Sequence, residues 1–81
     1  MKQLIKVDIS IGEHEYSDFV LAESESTAHV QEAIAEALWE DPDWEAADFC
    51  SWDDGEISCQ VASVTPVVAA EIAIMKKFGV L

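Results

Sequence analysis

The side chains of this chain that could carry chemistry are mostly carboxylates. Seventeen of the 81 residues are Asp or Glu, against four lysines and no arginine. The acids are densest in the segment Glu40 to Glu56, EDPDWEAADFCSWDDGE, which holds eight of them with two tryptophans and no basic residue. Carboxylates in this number can serve catalysis, bind cations or meet a basic surface, and residue spacing helps to separate these uses.

Residue spacing gives little support to catalysis or metal binding. Paired carboxylates are inevitable in so acidic a chain, and no Ser/His/Asp or Cys/His spacing indicates a nucleophile. A zinc site would need Cys50, Cys59 and two further soft ligands, but only His14 and His29 are present, at no recognised spacing. The run DPDWEAADFCSW lacks the Asp-x-Asp-x-Asp-Gly order of a calcium loop. We therefore predict a protein that is not an enzyme and has no cofactor or metal.

The net charge indicates what the surface attracts. It is −13, whereas solubility alone asks for a magnitude of about 2 to 8 in a small domain. The lysines stand only at positions 2, 6, 76 and 77, so the stretch from Val7 to Met75 carries all the acids and no fixed positive charge. Such a surface repels nucleic acid and anionic lipid, attracts basic protein surfaces and speeds encounter with them.

The segment Glu40 to Glu56 has a charge density close to that of a nucleic acid. If it covers a quarter of the surface of a folded monomer, its acids lie at about one charge per 150 Å². Duplex DNA presents about one charge per 110 Å². The sequence thus predicts a mimic of the phosphate backbone, while a merely solvated acidic face remains an alternative. The predicted partner-binding residues are Glu40, Asp41, Asp43, Trp44, Glu45, Asp48, Phe49, Asp53, Asp54 and Glu56.

Aromatic residues in this segment could orient a partner. An aromatic ring surrounded by acids suits an interface hot spot, which is the interpretation we consider for Trp44 and Phe49. Core packing is the alternative for both, and it is the favoured interpretation for Trp39 and Trp52.

The first half of the chain predicts a hairpin followed by a helix. Residues Lys2 to Ile11 alternate apolar and polar side chains, as a half-buried strand does, and Glu15 to Ala22 returns as a second strand with Phe19 and Leu21 facing inward. Ser24 and Ser26 are candidate N-caps of a helix that runs to about Trp39. Its apolar residues recur at helical spacing, with Glu32, Glu36 and Glu40 on another face.

The second half predicts another hairpin and helix. Asp41-Pro42 suggests a short helix over 42–47. Asp54-Gly55 predicts a two-residue turn between strands at 48–53 and 56–64, which places Cys50 opposite Cys59 as two buried thiols, or as a disulfide under oxidation. Thr65-Pro66 opens a last helix that ends at Lys76-Lys77, with Gly79 as its left-handed terminator. The predicted fold is one two-layer α+β domain spanning 1–81, with order β-β-α-β-β-α, a four-stranded antiparallel sheet and both helices on one face.

The last helix carries more apolar surface than one side of such a domain can bury. Val67, Ile74 and Phe78 lead one apolar face, which predicts a homodimer or docking seam. The alternative is that its alanines let the helix sink between its neighbours. Because the chain has no membrane span or signal-peptide core, we expect a cytoplasmic protein with no membrane partner.

The size, the arginine-free acidic composition and the acid-aromatic run together resemble a class of proteins. The run comprises Asp41, Asp43, Trp44, Glu45, Asp48, Phe49, Asp53 and Asp54. The chain resembles the small acidic DNA mimics that phages encode against host defences, the anti-CRISPR and anti-restriction inhibitors. This resemblance implies a blocker that binds the lysine- and arginine-rich groove of a nucleic-acid-binding complex. A small homodimeric adaptor and an immunity protein against a basic toxin are the alternatives.

Overall fold

Five strands pair into one antiparallel sheet in a computed structural model that describes residues 1–81. The strands are β1 (Gln3–Ile11), β2 (His14–Ala22), β3 (Asp43–Ala46), β4 (Phe49–Trp52) and β5 (Ile57–Pro66), and the helices are α1 (Thr27–Ala37) and α2 (Ala69–Lys77). Across the sheet the order is β2-β1-β5-β4-β3. The predicted α+β class is confirmed, and the predicted count of four strands is wrong.

The core lies on one face of the sheet and centres on β1, which pairs with β2 on one side and β5 on the other. Ile5, Val7 and Ile9 are buried, while Lys6 and Asp8 between them are exposed on the opposite face. The other core residues are Val30 and Ile34 of α1, with Val20, Ala22, Cys50, Trp52 and Cys59 from the neighbouring strands.

The helix α1 begins where a serine caps it. The Ser26 hydroxyl accepts a hydrogen bond from the backbone N–H of His29 at 3.3 Å, which satisfies an amide of the first turn. The helix ends at Ala37, two residues before the predicted end. Its acids Glu32 and Glu36 are exposed, as their helical spacing predicts.

The inward face of β2 differs from the prediction. Val20 and Ala22 are buried in the core, whereas Phe19 and Leu21 are only half-buried. The pairing with β1 explains the difference, because Val20 lies directly opposite the buried Ile5. Residues opposite one another share a face, so the larger Phe19 and Leu21 must point to the other side.

The connection between β4 and β5 is longer than the two-residue turn predicted from Asp54-Gly55. Both residues have positive φ, 53° and 91°, as a type I′ turn needs, and the N–H of Glu56 donates to the carbonyl of Asp53 at 3.1 Å. Asp53 also has positive φ, so the strand pairing ends at Trp52 and Ile57 and the loop comprises residues 53–56. The predicted register is confirmed, with Cys50 opposite Cys59.

The short helix predicted over 42–47 is wrong, because the segment forms the fifth strand. β3 pairs antiparallel with β4, so β4 satisfies its backbone hydrogen bonds. Trp44 lies opposite the buried Cys50 and packs its ring against the core. Asp41 has φ of 55°, in the left-handed region, rather than the extended conformation of an N-cap residue. The chain thus turns sharply at Asp41 and enters the edge of the sheet.

The second helix neither begins nor packs as predicted. β5 continues to Pro66, the residue predicted to open the helix, and α2 begins only at Ala69. α2 has no buried residue and none in the core, so the core is covered by α1 alone. Ile74 and Phe78 are 56% and 74% exposed. Val67, which the sequence predicts on the same exposed seam, is only 6% exposed and belongs to the interior of the single chain. Neither helix has the length and hydrophobicity required to span a lipid bilayer.

The unequal roles of the two helices predict unequal effects of one substitution. Ile34→Ala in α1 removes a fully buried side chain, so the free energy of unfolding should fall by about 2 to 5 kcal/mol. Ile74→Ala in α2 truncates an exposed side chain and should change it by less than about 0.5 kcal/mol. Urea unfolding followed by circular dichroism measures both. Equal losses for the two variants would contradict this assignment of the core.

Candidate acidic interface

All eight carboxylates of the segment Glu40 to Glu56 are exposed, and none forms an ion pair. Each of their residues is at least one third accessible to solvent. The molecule contains a single ion pair, between Lys2 Nζ and Glu23 Oε1 at 3.9 Å, and it lies outside this segment. These carboxylates have therefore lost little hydration and remain free to meet a cationic partner.

Five of the eight acids gather at one end of the sheet. The turn that carries Asp53, Asp54 and Glu56 adjoins the turn between β1 and β2, because the N–H of Gly12 donates to the carbonyl of Glu56 at 3.0 Å. Trp52 Nε1 donates to the carbonyl of Trp39 at 3.2 Å, which fixes the loop after α1 at the same end. We call this region the acidic end, and it comprises Glu13, Glu40, Asp41, Asp53, Asp54 and Glu56.

The helix α1 adds to the negative potential of the acidic end. Glu32 and Glu36 line the same shallow groove as Glu40 and Asp41. The helix also ends here with no basic residue in its last turn, so the partial negative charge of its C-terminus is uncompensated. These contributions were not recognised in the sequence, although the helical spacing of Glu32, Glu36 and Glu40 could have indicated them.

The other three predicted acids lie away from the acidic end. Asp43 and Glu45 lie within the edge strand β3, and Glu45 accepts a hydrogen bond from the Ser51 hydroxyl at 3.3 Å. Asp48 lies in the turn between β3 and β4, where its carbonyl accepts from the N–H of Val61, about halfway along β5. The predicted single patch is therefore a concentrated end with a thinner acidic strip along one sheet edge.

The aromatic residue exposed at the acidic end is not one of the two predicted. Trp44 is half-buried against the core, and Phe49 is half-buried on the opposite face of the sheet. Trp39 is 38% exposed, although we expected it in the core. Its ring meets Trp52 edge-on, with centroids 5.4 Å apart, so the indole is held firmly beside Glu40 and Asp41. The buried position of Trp52 agrees with the core packing expected for it.

The two cysteines face each other as free thiols inside the core. Burial raises the pKa of the Cys50 thiol to about 12, with smaller contributions from Cys59 and from the Glu45 carboxylate. Burial also raises the pKa of Cys59. Because the thiolate is the reactive form, both side chains are poor nucleophiles and metal ligands near neutral pH. No group of three or more His, Cys, Asp or Glu side chains is arranged to hold a metal ion.

The raised thiol pKa values predict a loss of stability in alkali. As pH rises above the ordinary thiol pKa of 9.0, the unfolded chain ionises while the folded chain keeps its protons. The free energy of unfolding should be constant with respect to the thiols below about pH 8 and fall above it by up to about 1.4 kcal/mol per pH unit for each thiol. Urea unfolding from pH 7 to 11 measures this fall.

A Cys50→Ala variant is the control for that titration. Its free energy of unfolding should fall less steeply with pH than that of the wild type, whatever its stability at pH 7, because one of the two buried thiols is gone. Identical slopes in the two proteins would contradict a thiol origin.

In the comparisons with known proteins, no family model, curated sequence or solved structure matches this chain. Its function has to be inferred from the charge and geometry of its own surface.

Proposed function

We propose that this chain is a non-enzymatic binding protein whose acidic end blocks a basic, nucleic-acid-binding surface of a partner protein. The observation that carries the proposal is the gathering of exposed carboxylates at the acidic end, without one ion pair among them. A molecule selected only for solubility could scatter its acids and balance them with lysine. Here the charge is concentrated and left unbalanced.

The geometry of the acidic end suits a groove-shaped receptor. The molecule measures 39 × 25 × 19 Å, and the acidic end is built from two hairpin turns and the loop after α1. Its charged groups thus project from turns and a loop at one end of the sheet, and such projections can enter a cleft that a broad flat surface could not. Carboxylates that approach basic residues there would replace the phosphates of a bound nucleic acid.

Trp39 provides the orientation that charge alone cannot. Exposed tryptophans are among the residues that dominate binding energy at interfaces, and an indole can also stack on an arginine guanidinium. Contact with Trp52 and the hydrogen bond from Trp52 Nε1 to its carbonyl restrict its motion in advance of binding. We therefore assign Trp39, rather than Trp44 or Phe49, as the aromatic anchor of this surface.

A displacement experiment tests the location of the binding surface. The probe is a lysine- and arginine-rich peptide bound to a fluorescent DNA duplex of about 20 base pairs, and the protein should release the duplex. A triple variant should raise the protein concentration needed to release the duplex by at least about tenfold. Its substitutions are Asp53→Asn, Asp54→Asn and Glu56→Gln. Asparagine tolerates positive φ, so the turn should survive these changes.

A charge-matched variant provides the control. It removes three other negative charges, from β2 and the loop after it, by Asp18→Asn, Glu23→Gln and Glu25→Gln. This variant should raise the protein concentration needed for displacement by no more than about threefold. Raising salt from 50 to 200 mM should weaken direct binding of the same peptide to the protein by at least about tenfold. If the two triple variants lose equal activity, charge location is irrelevant and the proposal fails.

A further inference from the structure

Most of the large hydrophobic residues that are exposed lie on α2 or beside it. Of the eight large hydrophobic residues that are exposed, five belong to α2, to the residues flanking it or to the N-terminus that adjoins it, namely Met1, Val68, Ile74, Phe78 and Val80. Met1 also lines one groove with Val68 and Ile72. The N–H of Val67 donates to the carbonyl of Lys2 at 3.0 Å, which ties the start of this region to the N-terminal end of β1.

This apolar surface is also the part of the molecule with the least negative charge. Three of the four lysines lie here, Lys2 in the groove and Lys76 and Lys77 in the last turn of α2. They offset Glu23, which pairs with Lys2, and Glu25, which lies beside Met1. The only acid in α2 is Glu71, whose side chain accepts a hydrogen bond from the N–H of Val68 at 3.1 Å. In a chain of net charge −13, two copies can approach closely only where their charges do not repel, and α2 offers such a place.

The exposed face of α2 is complementary to itself. Ala70, Glu71, Lys77 and Phe78 are the neighbours of Ile74 at three- and four-residue spacing on the helix surface. A two-fold axis through Ile74 of two antiparallel helices places Glu71 of one copy opposite Lys77 of the other. It also places the ring of Phe78 opposite the small Ala70. A single register thus brings opposite charges together and also packs a large ring against a small side chain.

We infer that α2 is the interface of a two-fold symmetric homodimer, with a second copy of this chain as its occupant. The pairing buries Ile74 against its counterpart and Phe78 against Ala70 of the other copy, and it uses none of the residues that define the acidic end. A helix pair of nine residues buries less than the roughly 800 Å² per partner of a standard interface. The dissociation constant should therefore be on the order of 100 μM.

Salt distinguishes this association from the proposed binding of a basic partner. The two copies repel each other through their acids, so screening should tighten the dimer, whereas it weakens attraction to a cationic surface. Sedimentation equilibrium of the wild type up to millimolar concentration, at 50 and 500 mM NaCl, should show dimers that are at least threefold tighter at the higher salt. A wild type that stays monomeric at both salt concentrations overturns the inference and leaves the proposed function intact.

Substitutions locate the interface. Ile74→Glu should weaken the dimer at least tenfold, while Tyr16→Glu, which adds the same charge at an exposed aromatic residue of the edge strand β2, should weaken it by less than threefold. Circular dichroism and urea unfolding confirm that both variants fold. If Tyr16→Glu dissociates the dimer and Ile74→Glu does not, the copies meet through the β2 edge, and the assignment to α2 is wrong.

Charge reversal tests the register. Lys77→Glu places a carboxylate opposite Glu71 of the other copy and should weaken the dimer more than Lys76→Glu, which changes the net charge equally but lies off the seam. Adding Glu71→Lys to Lys77→Glu should restore part of the affinity. Equal effects of the two lysine reversals, with no rescue, overturn the proposed register.

Discussion

The constraint on which this structure depends is the shortage of positive charge. With seventeen carboxylates and four lysines, most acids have no cation to pair with, and an ionised group buried without a partner costs several kcal/mol. The structure meets this constraint by exposing every Asp and Glu and burying only uncharged side chains. Gln3 and Ser51 are the only polar residues in its interior, so the core stays small and covers a single face of the sheet.

The same constraint gives the acidic end and the surface of α2 different characters. The acids concentrate in the turns at one end, where backbone groups already face water and side chains can spread apart. The C-terminus of α1 points to that end without a basic residue to offset it, whereas α2 has Lys76 and Lys77 in its last turn. One helix thus reinforces the negative potential and the other neutralises it locally. Under the proposed function and the inferred dimer, a basic partner and a second copy of the chain would use different surfaces.

The sequence predicted those features that short-range chemistry determines. Asp54-Gly55 determined the turn, the turn determined the register, and the register brought Cys50 opposite Cys59. The serine cap and helical spacing located α1. The inward face of β2 could not be predicted from residue size, because pairing with Ile5 in β1 decided it.

Tertiary contacts overruled other local signals. Asp41-Pro42 is typical of a helix start. The segment pairs with β4 instead, because as a strand it places Trp44 against the core. For the candidate site, the sequence located the acids but not their grouping, since the acidic end joins turns that are distant along the chain. Trp39 was missed for the same reason, because its exposure depends on how the loop after α1 meets Trp52.

The central claim is that the acidic end is the surface that meets a cationic partner. The most direct measurement is a titration of isotopically labelled protein with a short arginine-rich peptide, with backbone amide chemical shifts recorded residue by residue. The largest changes should fall on Gly12, Glu13 and residues 39–56, together with a shift of the Trp39 indole N–H. Changes of equal size along β2 and α2, or spread evenly over all exposed acids, would contradict the account.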